Sequence, residues 1–63
     1  MTPDELIEAV VDDVAANEPT TIPAIALRLG LDERTVRAGM LDAERIGCVV
    51  RTGKTKGTLW WLG

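Results

Sequence analysis

Hydrophobic positions in the first third of the chain recur at intervals of three and four. Leu6, Ile7, Val10, Val11 and Val14 form a stripe, with Asp4, Glu5, Glu8, Asp12 and Asp13 around it. That is the period of an amphipathic helix whose outer face, Asp12 and Asp13 included, is solvated and acidic. Its start is marked by Thr2-Pro3-Asp4-Glu5. The Thr2 hydroxyl can accept the third amide and Glu5 can reach back, while Pro3 stands where a missing N–H costs nothing. Pro19 disfavours helix at Glu18. The pattern predicts a helix over 3–17.

The next stripe is shorter. Thr21 is a cap, and Ile22, Ile25, Ala26 and Leu29 share a face, giving a helix over 22–29. Gly30 can take the left-handed conformation that closes it. Asp32 then caps a third helix, with Leu31 and Val36 spaced as a hydrophobic staple. This helix should run over 33–46 and stop at Gly47. Val36, Met40 and Ala43 fall on one face, and Arg34, Arg37, Ala38, Leu41 and Arg45 on the opposite arc. Gly39 sits mid-helix, at a cost of about 1 kcal/mol relative to alanine. Two helices joined by a glycine turn make a helix-turn-helix pattern.

Beyond Gly47 the period becomes that of strands, over 48–52 and 58–62. They flank a polar loop bounded by Gly53 and Gly57, so they read as a hairpin. Cys48 reads as a small buried hydrophobe at the start of the first strand. The fold class is α+β: three helices followed by a two-stranded hairpin, in one domain over 1–63.

The stretch from Thr21 to Val36, TIPAIALRLGLDERTV, resembles the helix-turn-helix core of winged-helix bacterial and archaeal transcription regulators. The shared features are an alanine in the second helix, a Leu-Gly-Leu turn, a polar cap and a Thr-Val pair. A helix ending in Ile-Gly, a Val-Val-Arg strand, a basic glycine-rich wing and an aromatic closing strand continue the likeness. The resemblance implies a winged helix-turn-helix that binds double-stranded DNA, with the third helix in the major groove.

Charge sharpens that expectation. The chain carries seven basic and ten acidic residues, net −3. The total conceals a split. Residues 1–27 hold six acids and no base, a local charge of −6, whereas residues 28–63 hold all seven bases and four acids, a local charge of +3. Binding responds to the local field, so the basic half can meet phosphate while the acidic half faces away.

Within the basic half, Arg34, Arg37 and Arg45 lie on the outer arc of the third helix, placed to reach guanine edges or phosphates. A plainer reading remains open: a solvated helix face, with Glu33 and Arg37 as an i, i+4 ion pair. Thr35 is positioned to donate to a phosphate near the helix start. Ala38 and Leu41 lie between the arginines, where Leu41 can meet a thymine methyl. Arg51, Lys54 and Lys56 belong to the wing and suit the phosphate backbone.

Trp60 and Trp61 are adjacent in a strand and point to opposite faces. One helical layer covers only one face, so Trp60 and Trp61 mark a candidate interface in which one of the two rings meets a partner, with a homodimer as a possible assembly. The plainer reading, a ring lying over the domain edge, stays open. The hairpin edge offers unpaired backbone groups to the same second chain.

Other classes recede. The chain has no histidine and one cysteine, which leaves no metal-ligand cluster, no internal disulfide and no nucleophile with a base beside it. No enzyme activity, cofactor, metal or small-molecule ligand is expected. No apolar run reaches membrane-spanning length, and the acidic N-terminus lacks the pattern of a secretory signal, so a cytoplasmic setting is expected. The rival to DNA binding is a protein–protein interaction module on the same scaffold, favoured by the acidic first helix, Leu41 and the paired tryptophans.

Overall fold

In the computed structural model the chain forms α1 (Pro3–Asn17), α2 (Ile22–Leu29), α3 (Glu33–Arg45), β1 (Val49–Thr52) and β2 (Leu59–Leu62). Residues 1–53 and 57–63 are described. Each helix begins on a side-chain cap. Thr2 Oγ1 accepts the Glu5 amide at 3.2 Å, and Glu5 Oε1 accepts the Thr2 amide at 2.9 Å. Thr21 Oγ1 accepts from the Ala24 amide, and Asp32 Oδ2 from the Thr35 amide, each at 3.3 Å. The turn between α2 and α3 depends on Gly30, whose φ of 69° lets both its own amide and that of Leu31 reach the Ala26 carbonyl.

The stripes converge on one core. Val10 and Val14 of α1, Ile25 and Ala26 of α2, and Val36, Met40 and Ala43 of α3 meet Val49 and Trp60 of the hairpin. Leu6, Ile7, Val11, Leu29, Leu31 and Cys48 pack around this cluster, half-buried. Gly39 is also buried, on the side of α3 that faces α1.

Three expectations shift by a residue, for one kind of reason. The third helix ends at Arg45 rather than at 46, with Ile46 as its cap. The Cys48 amide binds the Ala43 carbonyl at 2.9 Å, so Cys48 finishes the helix end and the first strand opens at Val49. The second strand opens at Leu59 rather than at 58.

The strands pair antiparallel, Val50 opposite Trp61 and Arg51 opposite Trp60. The far edge of β2, expected to be open, is occupied. Thr20 exchanges both backbone hydrogen bonds with Trp60, at 2.8 and 3.1 Å, and Glu18 Oε1 accepts the Leu62 amide at 3.1 Å. The segment after α1 thus acts as a third, one-residue strand. Among the described residues, no helix is long and apolar enough to cross a membrane.

Candidate nucleic-acid interface

The buried stripe of α3 fixes what its other side presents. With Val36, Met40 and Ala43 inward, Arg34, Arg37, Ala38, Leu41 and Arg45 are all exposed, Leu41 to 44%. The amphipathic helix holds these side chains on a rigid arc rather than on a loop. Asp32 at the start of α3 is committed to capping: it accepts the Thr35 hydroxyl at 2.5 Å as well as the Thr35 amide. That bond holds the Asp32 carboxyl below its ordinary value. It also spends the Thr35 hydroxyl proton inside the protein, so the expected donation from Thr35 to a phosphate gives way to a structural role.

The arginines divide into two groups. Arg28 forks onto Asp13 of α1, with Nη2 2.6 Å from Oδ1 and Nε 2.9 Å from Oδ2, and Nη2 also donates to Thr20 Oγ1 at 2.7 Å. The Asp13 side chain is only 7% exposed, which corrects the expectation of a solvated carboxylate there. The helical period was right, but Asp13 stands at the border where α2 reaches α1. Arg45 pairs with Asp42 at 3.1 Å. Arg51 is bidentate to Glu44, with Nε and Nη2 at 2.8 and 2.6 Å from its oxygens. These hydrogen bonds hold the Glu44 carboxyl below its usual range and raise the Arg51 guanidinium.

Arg34 and Arg37 form the second group. Among the described residues neither makes an ion pair, and the Glu33–Arg37 pair considered from the sequence does not form. Lys54 and Lys56 lie outside the described residues.

Arg37 opens onto a cleft of ≈ 320 Å³. The start of α2, through Thr21, Ile22 and Pro23, forms one wall. Arg51, Gly57, Thr58 and Trp60 of the hairpin form the other. The Arg51 guanidinium carbon stands 4.9 Å from the centroid of the Trp60 ring. Helix, hairpin and the entry to α2 therefore bring Arg37 and Arg51 to one concavity, with the Trp60 indole beneath Arg51. Sequence periodicity placed Arg37 and Arg51 on separate elements and gave no sign that they share a cleft. The signal that could have joined them is the pairing of Arg51 with Trp60 across the hairpin, which requires the register.

Trp60 and Trp61 part company, as strand alternation demands. Trp60 is 2% exposed and belongs to the core, so it is not the interface residue expected from the sequence. It sits in the core cluster with residues of all three helices, and the Arg51 guanidinium lies over its ring. Trp61 is 36% exposed, on the outer face with Val50, and its Nε1 donates to Thr52 Oγ1 at 3.1 Å.

Neither a protein-family model nor a curated protein matches the chain. Among solved structures, the chain is similar to the Zalpha domain of PKZ from Carassius auratus, crystallised in complex with Z-DNA. The TM-score is 0.88 with 23% sequence identity, and 97% of each chain is covered. The fold is that of a winged helix: three helices followed by a two-stranded antiparallel hairpin.

Proposed function

We propose that this winged helix binds double-stranded DNA through the exposed arc of α3 and the hairpin, as the DNA-binding part of a cytoplasmic transcription regulator. The observation that carries the reading is the division of the arginines. Arg28, Arg45 and Arg51 each hold a carboxylate, whereas Arg34 and Arg37, on the exposed arc of α3, hold none among the described residues. Two uncommitted guanidinium groups on one helical arc fit the major groove and its phosphate margins. Arg45, Ala38 and Leu41 complete the arc, and Arg51, Lys54 and Lys56 supply the phosphate contacts of the wing.

A second reading concerns the form of the duplex. The similar Carassius auratus domain was crystallised with Z-DNA. On the exposed arc of α3 here, arginines are the polar groups left uncommitted, and no amide side chain accompanies them. Arginines grip phosphates as well as guanine edges, so such a set also suits recognition of backbone shape.

The test is fluorescence anisotropy against a mixed-sequence B-form duplex and an alternating CG duplex held in the Z form, each titrated with salt. Binding to the first supports groove insertion, and selective binding to the second supports shape reading. No binding to either at low salt would overturn the DNA reading in favour of a protein-interaction module.

The same proposal includes weak self-association. With Trp60 in the core and the β2 edge occupied, the surface we assign to a second copy is the outer face of the hairpin, around Val50, Leu59 and Trp61.

A further inference from the structure

On the DNA reading Glu44 is out of place on α3, because a carboxylate close to bound phosphates repels them. Its geometry gives it another task. The Glu44 carboxylate takes the Nε–Nη2 edge of the Arg51 guanidinium, while one face of that group lies over the Trp60 ring. An arginine has five N–H donors. The two that Glu44 engages leave Nη1 and one Nη2 hydrogen for a further acceptor, and Arg51 lines the cleft that Arg37 also enters. A carboxylate on α3 and an indole on β2 thus fix one edge and one face of a side chain on β1. A free arginine on a strand samples many rotamers and loses that freedom when it binds, whereas an arginine already held loses less.

We propose that Glu44 is a positioning residue for DNA binding: it holds Arg51 against Trp60 so that the free edge of the guanidinium meets a phosphate seated in the cleft beside Arg37. The proposal rests on the DNA reading given above. It differs in sign from simple electrostatics. If Glu44 only contributes charge, its removal strengthens binding to a polyanion. If it orients Arg51, its removal weakens binding even though a repulsive charge has gone.

The experiment measures affinity and salt dependence of the wild type, E44Q, E44A, R51A and E44A/R51A for whichever labelled duplex the wild type binds, with the melting temperature of each variant recorded alongside. Orientation by Glu44 makes E44Q and E44A bind roughly three- to tenfold more weakly, the larger figure corresponding to about 1.4 kcal/mol. It also makes E44A/R51A no weaker than R51A, because the effect of Glu44 runs through Arg51. A purely structural role lowers the melting temperature but leaves the two binding losses additive. Unchanged or tighter binding by E44Q, or additive losses in the double variant, overturns the positioning role and leaves the DNA reading standing. Absence of wild-type binding to both duplexes overturns the two together.

Discussion

Leu6 fills the space in which a side chain at Gly39 would stand. A Cβ built on Gly39 lies 2.7 Å from the Leu6 Cγ and 3.1 Å from its Cδ2, well inside van der Waals contact. α1 and α3 therefore approach at the one position of α3 where no Cβ intervenes. The mid-helix glycine, which looks like a local defect in the sequence, is the condition for this packing.

Two terms oppose each other at Gly39→Ala. Helix propensity favours alanine by about 1 kcal/mol. Overpacking against the branched carbon of a leucine in the first turns of α1 costs about 1–3 kcal/mol. The substitution should therefore destabilise the domain by about 1 kcal/mol, against the propensity scale. In L6A the space opens, so Gly39→Ala in that background should stabilise. Urea unfolding of the four proteins in this cycle reads the coupling. A stabilising G39A in the wild-type background would mean that the helices shift apart without cost.

The caps were the most legible part of the fold. Thr2, Thr21 and Asp32 each announce a helix start because capping is a contact over three residues, fully encoded in local sequence. The burial of Val36, Met40 and Ala43, and hence the exposure of Arg34, Arg37, Leu41 and Arg45, followed from the helical period alone. What escaped were relations between elements. Asp13 with Arg28, Thr20 with Trp60 and Glu44 with Arg51 join residues 15, 40 and 7 positions apart through the packing of separate segments. Periodicity is blind to such partners. The charge split counted Arg28 and Arg51 among the bases of one half of the chain, when each already holds a carboxylate of its own.

That division yields an expected contrast among arginine variants. R34A/R37A should bind the duplex at least about tenfold more weakly, at about 1–3 kcal/mol for a good base contact. Its slope of log K against log salt should flatten by as much as about two units, since each phosphate contact contributes about 0.9. R28A removes one positive charge where the double variant removes two, yet it should leave affinity within about twofold rather than lose half of that binding energy, while costing about 1 kcal/mol of stability because it strands the Asp13 carboxylate. Equal binding losses per charge removed in R28A and R34A/R37A would show that net charge, rather than the α3 arc, governs association.

Acid should destabilise the fold in a defined window. The Glu44 carboxyl is held below its ordinary 4.5 chiefly by its hydrogen bonds from Arg51, and Glu5 below the same value chiefly by the Thr2 amide. Asp32 is held below 3.8 chiefly by the Thr35 hydroxyl. Each folded-state value lies under its unfolded counterpart, so the unfolded chain binds more protons between the two and stability rises with pH there. The contribution is complete above the ordinary values and is lost as pH falls through the depressed ones. Melting temperature followed from neutral pH downward should hold level to roughly pH 5 and then decline. The decline should be shallower in E44Q. A melting temperature that climbs below pH 4.5 would contradict this sign.

Self-association should be weak, and Trp61 should report it. The expectation of a homodimer rested on an uncovered tryptophan, an adjoining apolar face and an open strand edge. Trp60 is spent on the core, and Thr20 and Glu18 occupy the edge of β2. What remains is Trp61 at 36% exposure, Val50 at 46% and half-buried Leu59. A tryptophan buries on the order of 200 Å² when fully covered, so this patch amounts to a few hundred Å² at most. Stable specific interfaces bury about 800 Å² per partner. The shortfall, with the cost of lost translational and rotational freedom, makes a tight dimer through this patch unfavourable. Sedimentation equilibrium over a wide concentration range should show a shallow rise in mean mass that W61S abolishes. Fluorescence offers a second reading: the Trp61 emission should shift to the blue with concentration, while that of Trp60, already enclosed, stays fixed. A submicromolar dimer that survives W61S would place the contact on another face of the domain.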